Sequence, residues 1–334
     1  MLDSLGLREA TAALPEQIDA ARLASAAIPG LPDPAGIENI VCLGTGPGGL
    51  AGDIVAAVAA PQAPVPILVH RGYSLPAFVS TSSLVLVLSA TGHTEETIEA
   101  TEGATRAGAR LVAVTGEGPL CELARSALAP VIDVPPSIPV ARAAIGALAV
   151  PPLLILEQLG LFRGADQYVR LAVDQLRRRR DELLADDNPA ARLALRIGHT
   201  LPLIYGGGAI GGVAARRWKT QFNENAKVAA FDNQLPEMAH NEVSGWGQHG
   251  DVTRQVFTQI DLRSDEEHPQ LIGRFDRLDE ATGEVVGSIH RVDAAGEGRV
   301  AQLFDLILQG DFVSLQLAAA AEIDPGPTPA SDSF

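Results

Sequence analysis

The chain has 334 residues, 46% hydrophobic but only 4% aromatic, and carries 41 acidic against 25 basic side chains for a net charge of −16. That length allows two domains of ordinary size, and a core of Ala, Val, Leu and Ile suits buried parallel strands covered by helices. The acidity argues against nucleic acid and anionic membranes, which demand clustered cations, although hydroxyls, backbone N–H groups and one or two arginines can still hold a single phosphate.

Residues 3–28 read as one or two helices, and the Gly/Pro-rich stretch 29–36 closes an N-terminal arm of residues 1–35. From there to residue 160, strand, glycine-rich turn and helix alternate: NIVCLGTGPGGLAGDIVAAVAA, the strand PVPILVHRG, SSLVLVLSATGHTEETIEATEG and ARLVAVTGEGPLCELARSA, with a last short strand APVIDVPP. Alternation of this kind predicts a doubly wound parallel sheet. A connecting helical segment spans 161–189 and contains the run Arg177-Arg178-Arg179-Arg180, which interleaved acids mark as a solvated, salt-bridged face. Residues 190–325 restart the plan with a helix, the strand LPLIYG, a second glycine-rich turn at 206–212 and a helix ending near Glu224. VTRQVFTQIDLRS reads as a strand, HPQLIGRFDRLDEATG as a helix, EVVGSIHRVD as a strand, and helices follow before a mobile tail at 326–334. Two halves opening alike suggest a duplicated α/β unit.

The N-terminus is acidic and unlike a signal peptide. The richest apolar run, Ala143 to Leu161, is interrupted by Pro151-Pro152 and carries Glu157, so no membrane span is expected. Cys42 and Cys121 read as buried free thiols of a cytoplasmic protein, and no metal-ligand spacing occurs.

Rare residue types gather between Val213 and Trp246: both tryptophans, both lysines (Lys219 and Lys227) and Met238. Ala214, Trp218 and Phe222 form an apolar stripe, while Thr220, Glu224 and Lys227 share another helical face. Glu224 on a helix, with His240 in the following loop, supplies a carboxylate and an imidazole that could move two different protons. In the first half, Ser89, Thr91 and Thr94 surround Gly92 between a strand and a helix beginning Glu95-Glu96. Hydroxyls beside the free N–H groups of a helix start fit one phosphate monoester, and the same residues could simply cap the helix. Gly44-Thr45-Gly46-Pro47-Gly48-Gly49 fits G-x-G-x-x-G, and Arg71 after the next strand leaves an NADP reductase open as a further reading. Arg142 opens a helix where strand ends and helix starts meet.

SATGHTEET resembles the Ser-Tyr-Ser-Gly-Asn-Thr-Glu-Glu loop of sugar isomerase (SIS) domains. RWKTQFNENAK and LPEMAHNEVSGW are similar to the Asn-Glu-Asn-x-Lys and Pro-Glu-x-x-His-Asn-Glu segments of the bifunctional phosphoglucose/phosphomannose isomerase family. The resemblance covers roughly residues 36–325. It implies two three-layer αβα SIS subdomains joined by helices, a homodimer, no cofactor, and interconversion of fructose 6-phosphate with glucose or mannose 6-phosphate through an enediolate. Carried over by position, Ser89, Thr91 and Thr94, with Gly46 and Gly48 of the first turn, would bind the sugar phosphate. Glu224 would shuttle the proton between C1 and C2, His240 from the partner subunit would assist ring opening, and Arg142 would face the enediolate. The family has a serine where this chain has Gly48, an asparagine at His93, a proline at Ala141, and a C-terminal lysine where this chain ends PTPASDSF. A SIS module that binds a sugar phosphate as a regulator is the alternative.

Overall fold

The computed structural model describes residues 2–329, and these form two compact units. One comprises Ala13–Arg170; the other comprises the described residues before Ala13 and after Arg170. Both are built on parallel sheets with helices on either face, the α/β architecture expected from the alternating pattern.

In the first unit the strands are β1 (Asn39–Leu43), β2 (Ile67–His70), β3 (Ser83–Ser89), β4 (Arg110–Thr115) and β5 (Val131–Asp133), in the spatial order β2-β1-β3-β4-β5. β3 is buried throughout, which is why its sequence is a continuous apolar run rather than an alternating one. Val41, Leu43, Val85 and Val87 face Ala100 and Ala104 of α4 (Glu95–Arg106) and Leu120 and Ala124 of α5 (Pro119–Ser126). The opposite face meets α3 (Gly46–Ala59) and α6 (Ile145–Gln158). Pro151 and Pro152 lie inside α6 without ending it, and the helix is buried from Ile145 to Leu156. An interior proline costs about 3 kcal/mol; burial of apolar side chains all round this helix offsets that loss.

The second unit orders its strands β7 (Phe231–Leu235), β6 (Leu201–Gly207), β8 (Phe257–Arg263) and β9 (Ser288–Asp293). α11 (Gln270–Thr282) covers one face through Leu271, Phe275 and Leu278. α9 (Gly208–Glu224) packs on β6 and against α12 (Gly298–Ala320). By length and composition α12 and the segment Ala141–Gln158 could each cross a membrane, but 83% and 78% of those windows are buried, as in core helices.

Several expected boundaries shift. The separate arm of residues 1–35 is split: α1 (Leu7–Ala12) lies against α12, whereas α2 (Leu14–Ala24) packs on α6. β7 was not anticipated, because an edge strand with Asp232, Asn233 and Gln234 half-buried shows no apolar run. The expected strand from Val252 is divided into a short helix, α10 (Asp251–Val256), and β8. In α7 (Ala165–Leu184), Arg179 leaves the solvated face that its run predicts. Its guanidinium donates to fully buried Asp305 at 2.8 and 3.0 Å, and Gln175 and Gln309 donate to the same carboxylate. Residues 330–334 of the expected mobile tail lie outside the described residues.

A second polar cluster sits in the core of this unit. Gln259 donates to Asp261 at 3.0 Å and to Asp279 at 3.0 Å, and Thr282 donates to Gln259. Burial first, and then the neighbouring Asp279 carboxylate, raise the pKa of Asp261 to about 8. The folded chain therefore holds a proton that the unfolded chain has already released, and stability must fall as pH rises from the normal carboxylate range toward 8. One proton corresponds to a slope of about 1.4 kcal/mol per pH unit. Denaturant melts of wild type should show this decline between acid and neutral pH, and Asp261→Asn should flatten it.

Candidate functional site

In the first sheet, the connection from β1 runs to β2 on one side, while β3 lies on the other. The C-terminal ends of β1 and β3 thus flank a switch point, the place where open parallel sheets leave a crevice. Both motif turns fall there. Ser89 ends β3 and is buried; its Oγ lies 3.2 Å from Thr94 Oγ1 and accepts the Gly92 N–H at 3.1 Å. Thr94 occupies the N-cap position of α4, yet its side chain makes no capping bond. The hydroxyl pair therefore stands beside helix-start N–H groups that the Thr94 side chain leaves uncapped, an arrangement able to accept an anion. Thr91 is exposed on the same loop and lines a cavity of about 500 Å³ with Ala90, Gly116, Glu117, Asp133 and Ala141.

Arg142 stands beside this cavity in a 3-10 turn, Ala141–Ala144, and is only 6% exposed. The turn is fixed from α2: Gln17 donates to Ala143 O at 2.9 Å and accepts from Gly146 N at 2.8 Å. Gly46 and Gly48 both belong to the first turn of α3 rather than to a free loop. A Cβ on Gly48 would stand 2.1 Å from the Leu88 carbonyl oxygen, so here the glycine is what lets α3 approach β3. Arg71, on which a dinucleotide reading relied, pairs with Asp53 at 2.5 Å and donates to the Gly49 carbonyl at 3.0 Å. It is occupied in holding the glycine turn.

The second unit places Glu224 at the final residue of α9, half-buried. Lys227 does not continue the helix face. The helix stops, Lys227 takes φ 56°, and its ammonium donates to the carbonyls of Glu224 and Pro325. It closes the helix C-terminus, where a cation is favoured. Two buried attachments set the position of α9. Arg217 donates to Asp311 on α12 at 2.9 and 2.8 Å with both side chains nearly inaccessible, and Trp218 Nε1 donates to Leu306 O at 2.7 Å. Asn225, next to Glu224, donates to Ser314 at 2.9 Å.

His240 is exposed at the end of a 3-10 turn, Glu237–His240. Met238 is fully buried against Leu203 and Phe275, and Trp246 meets Phe257 edge-on, so this irregular segment is fastened to the second sheet. Sequence reasoning assigned no role to Glu242. Its carboxylate accepts from Tyr205 Oη at 2.5 Å and from Asn233 Nδ2, tying the His240 segment to β6 and β7. Burial, followed by Glu242, pushes the Tyr205 phenol pKa up, so it stays a donor. The acid was visible in His-Asn-Glu, but its partners are 37 and 9 residues away.

The second glycine stretch is not a free turn either: β6 runs through Gly207 and α9 starts at Gly208. At this sheet's switch point a Cβ on Gly207 would lie 2.3 Å from Glu267 Oε1. Glu267 pairs with Arg263 at 2.9 Å, and that guanidinium stacks 4.0 Å above the Phe275 ring. A carboxylate therefore fills the place corresponding to the open hydroxyl-lined loop of the first unit. Among the described residues, no three His, Cys, Asp or Glu side chains gather as a metal site.

Two parallel α/β units, one with an open hydroxyl-lined loop at its switch point, define a double sugar isomerase (SIS) fold. The C-terminal domain of glucosamine-fructose-6-phosphate aminotransferase from Francisella tularensis shares that fold, with a TM-score of 0.69 over 96% of this chain and 97% of that one at 14% identity. Residues 186–334 match the family described as bacterial phospho-glucose isomerase C-terminal SIS domain. The bifunctional phosphoglucose/phosphomannose isomerase of Caldicellulosiruptor bescii is 33% identical over 87% of this chain and 86% of its own length. That of Thermoplasma acidophilum is 31% identical over 86% of each. The chain belongs to the bifunctional phosphoglucose/phosphomannose isomerase family.

Two substitutions test the packing that sets these positions. Gly48→Ser should destabilise the chain by about 1–3 kcal/mol through overpacking against the Leu88 carbonyl. Asp311→Ala should cost about 3–5 kcal/mol by removing the carboxylate that neutralises the buried Arg217 guanidinium. Both are read from urea midpoints.

Proposed function

We propose that the protein interconverts fructose 6-phosphate with glucose 6-phosphate and mannose 6-phosphate. The observation that carries this reading is the loop of Ser89, Thr91 and Thr94, whose hydroxyls leave the start of α4 uncapped beside a cavity of about 500 Å³. Family membership supports the reaction class. It does not favour a purely regulatory sugar-phosphate binder, since the relatives at 33% and 31% identity are themselves named isomerases.

In this reading the hydroxyl loop, with Gly46 and Gly48 of the neighbouring turn, holds the phosphate. Glu224 takes the proton from C2 of the open-chain aldose, and the C–H electron pair becomes the C1–C2 double bond of an enediolate. Return of the proton to C1 gives the ketose, with the hydroxyl proton moving between O2 and O1. Arg142 offsets the charge gathered on those oxygens, which a fixed guanidinium stabilises more than it does the neutral sugar. His240 protonates the ring oxygen to open the cyclic form. Its exposure on an anchored segment suits a residue contributed to the site of a second copy in a homodimer. The reaction needs no cofactor, and the two buried free thiols, Cys42 and Cys121, suit a cytoplasmic enzyme.

A coupled assay with fructose 6-phosphate as substrate, scoring both aldose phosphates, tests the central role. Glu224→Gln should lower kcat by about 10³-fold while sugar-phosphate binding persists. Equal turnover by variant and wild type would exclude the role.

A further inference from the structure

A second cavity, of about 350 Å³, lies wholly within the second unit and away from its switch point. Its walls are α8 (Pro189–Ile197), β9 and parts of α9 and α12. The ionisable side chains on it are Arg192, Arg196, His290, Arg291 and Asp293. In a chain with 41 acids and 25 bases, three guanidiniums and an imidazole against one carboxylate reverse the prevailing sign.

The cations are available to a ligand in different degrees. Arg192 pairs with Asp187 at 2.8 Å and Arg291 with Asp293 at 2.6 Å, but all four of these side chains are more than half exposed. Such ion pairs are weak and exchange readily for a multivalent anion. Arg196 is exposed and makes no ion pair among the described residues. His290 Nε2 lies 2.9 Å from Ser288 Oγ. Burial first, and then the Arg196 guanidinium, lower the His290 pKa, so the empty cavity favours the neutral ring. Trp218 lies fully buried beneath the floor with its N–H committed to Leu306 O, so it offers a ligand no donor.

We propose that this cavity is a binding site for a small phosphate-bearing anion, separate from the Ser89–Thr94 loop and organised around Arg196, Arg192, Arg291 and His290. A phosphate or pyrophosphate group matches the planar, forked donors of arginine, and the volume admits a short phosphorylated acid. Trp218 lies on α9, six residues before Glu224, so its fluorescence should report occupancy.

Pyrophosphate is the probe, added to the full chain in chloride buffer with NMR detection of the histidine rings and calorimetry for affinity. Binding should raise the His290 pKa, because the anion stabilises the imidazolium, and should perturb Trp218 emission. Arg196→Ala, at an exposed position that leaves the fold intact, should weaken this binding about tenfold and abolish the His290 response. Ser89→Ala should leave the His290 response unchanged, whatever it does to anion binding at the hydroxyl loop. The proposal is overturned if millimolar pyrophosphate leaves His290 unmoved, if Arg196→Ala binds as wild type does, or if Ser89→Ala removes the response.

Discussion

The fold turns on one constraint of parallel sheets, namely that each strand must be joined to the next by a crossover that carries the chain back to the same end of the sheet. Where successive crossovers leave in opposite directions, two strand ends stand open with no chain across them. β1 and β3 are such a pair, and the glycine turn and the hydroxyl loop occupy those ends. The close approach at Gly48 follows from the same geometry, since α3 must leave β1 directly over the end of β3.

The second unit obeys the same topology with a different outcome. Its switch point, between β6 and β8, is filled by Glu267 held against Arg263. A buried carboxylate with a guanidinium partner and a stacked ring has its charge met internally, leaving no vacancy for a phosphate at that place. Duplication of a fold therefore did not duplicate the open hydroxyl-lined loop. What this unit positions is the far end of α9, through Arg217–Asp311 and Trp218, and the His240 segment, through Met238 and Glu242.

Much of this was legible beforehand, for identifiable reasons. Fully buried strands such as SLVLVLS announce themselves by composition, and the strand–Gly–helix alternation fixes a parallel sheet. The element that was missed has a weak local signal: β7 is a polar edge strand with no apolar run. Arg179 looked like one of four equivalent surface arginines, and only the arrival of Asp305 from 126 residues away draws it inward.

The sequence by itself determined the two α/β halves, the hydroxyl loop and the residue types at Glu224, His240 and Arg142, because each is written in a contiguous stretch. Tertiary structure decided that Thr94 bonds Ser89 instead of capping its helix, that Lys227 closes a helix end, and that Glu267 occupies the second switch point. Those outcomes depend on which groups meet across strand ends and helix crossings. Such meetings are set by packing between distant segments, and local pattern carries no record of them.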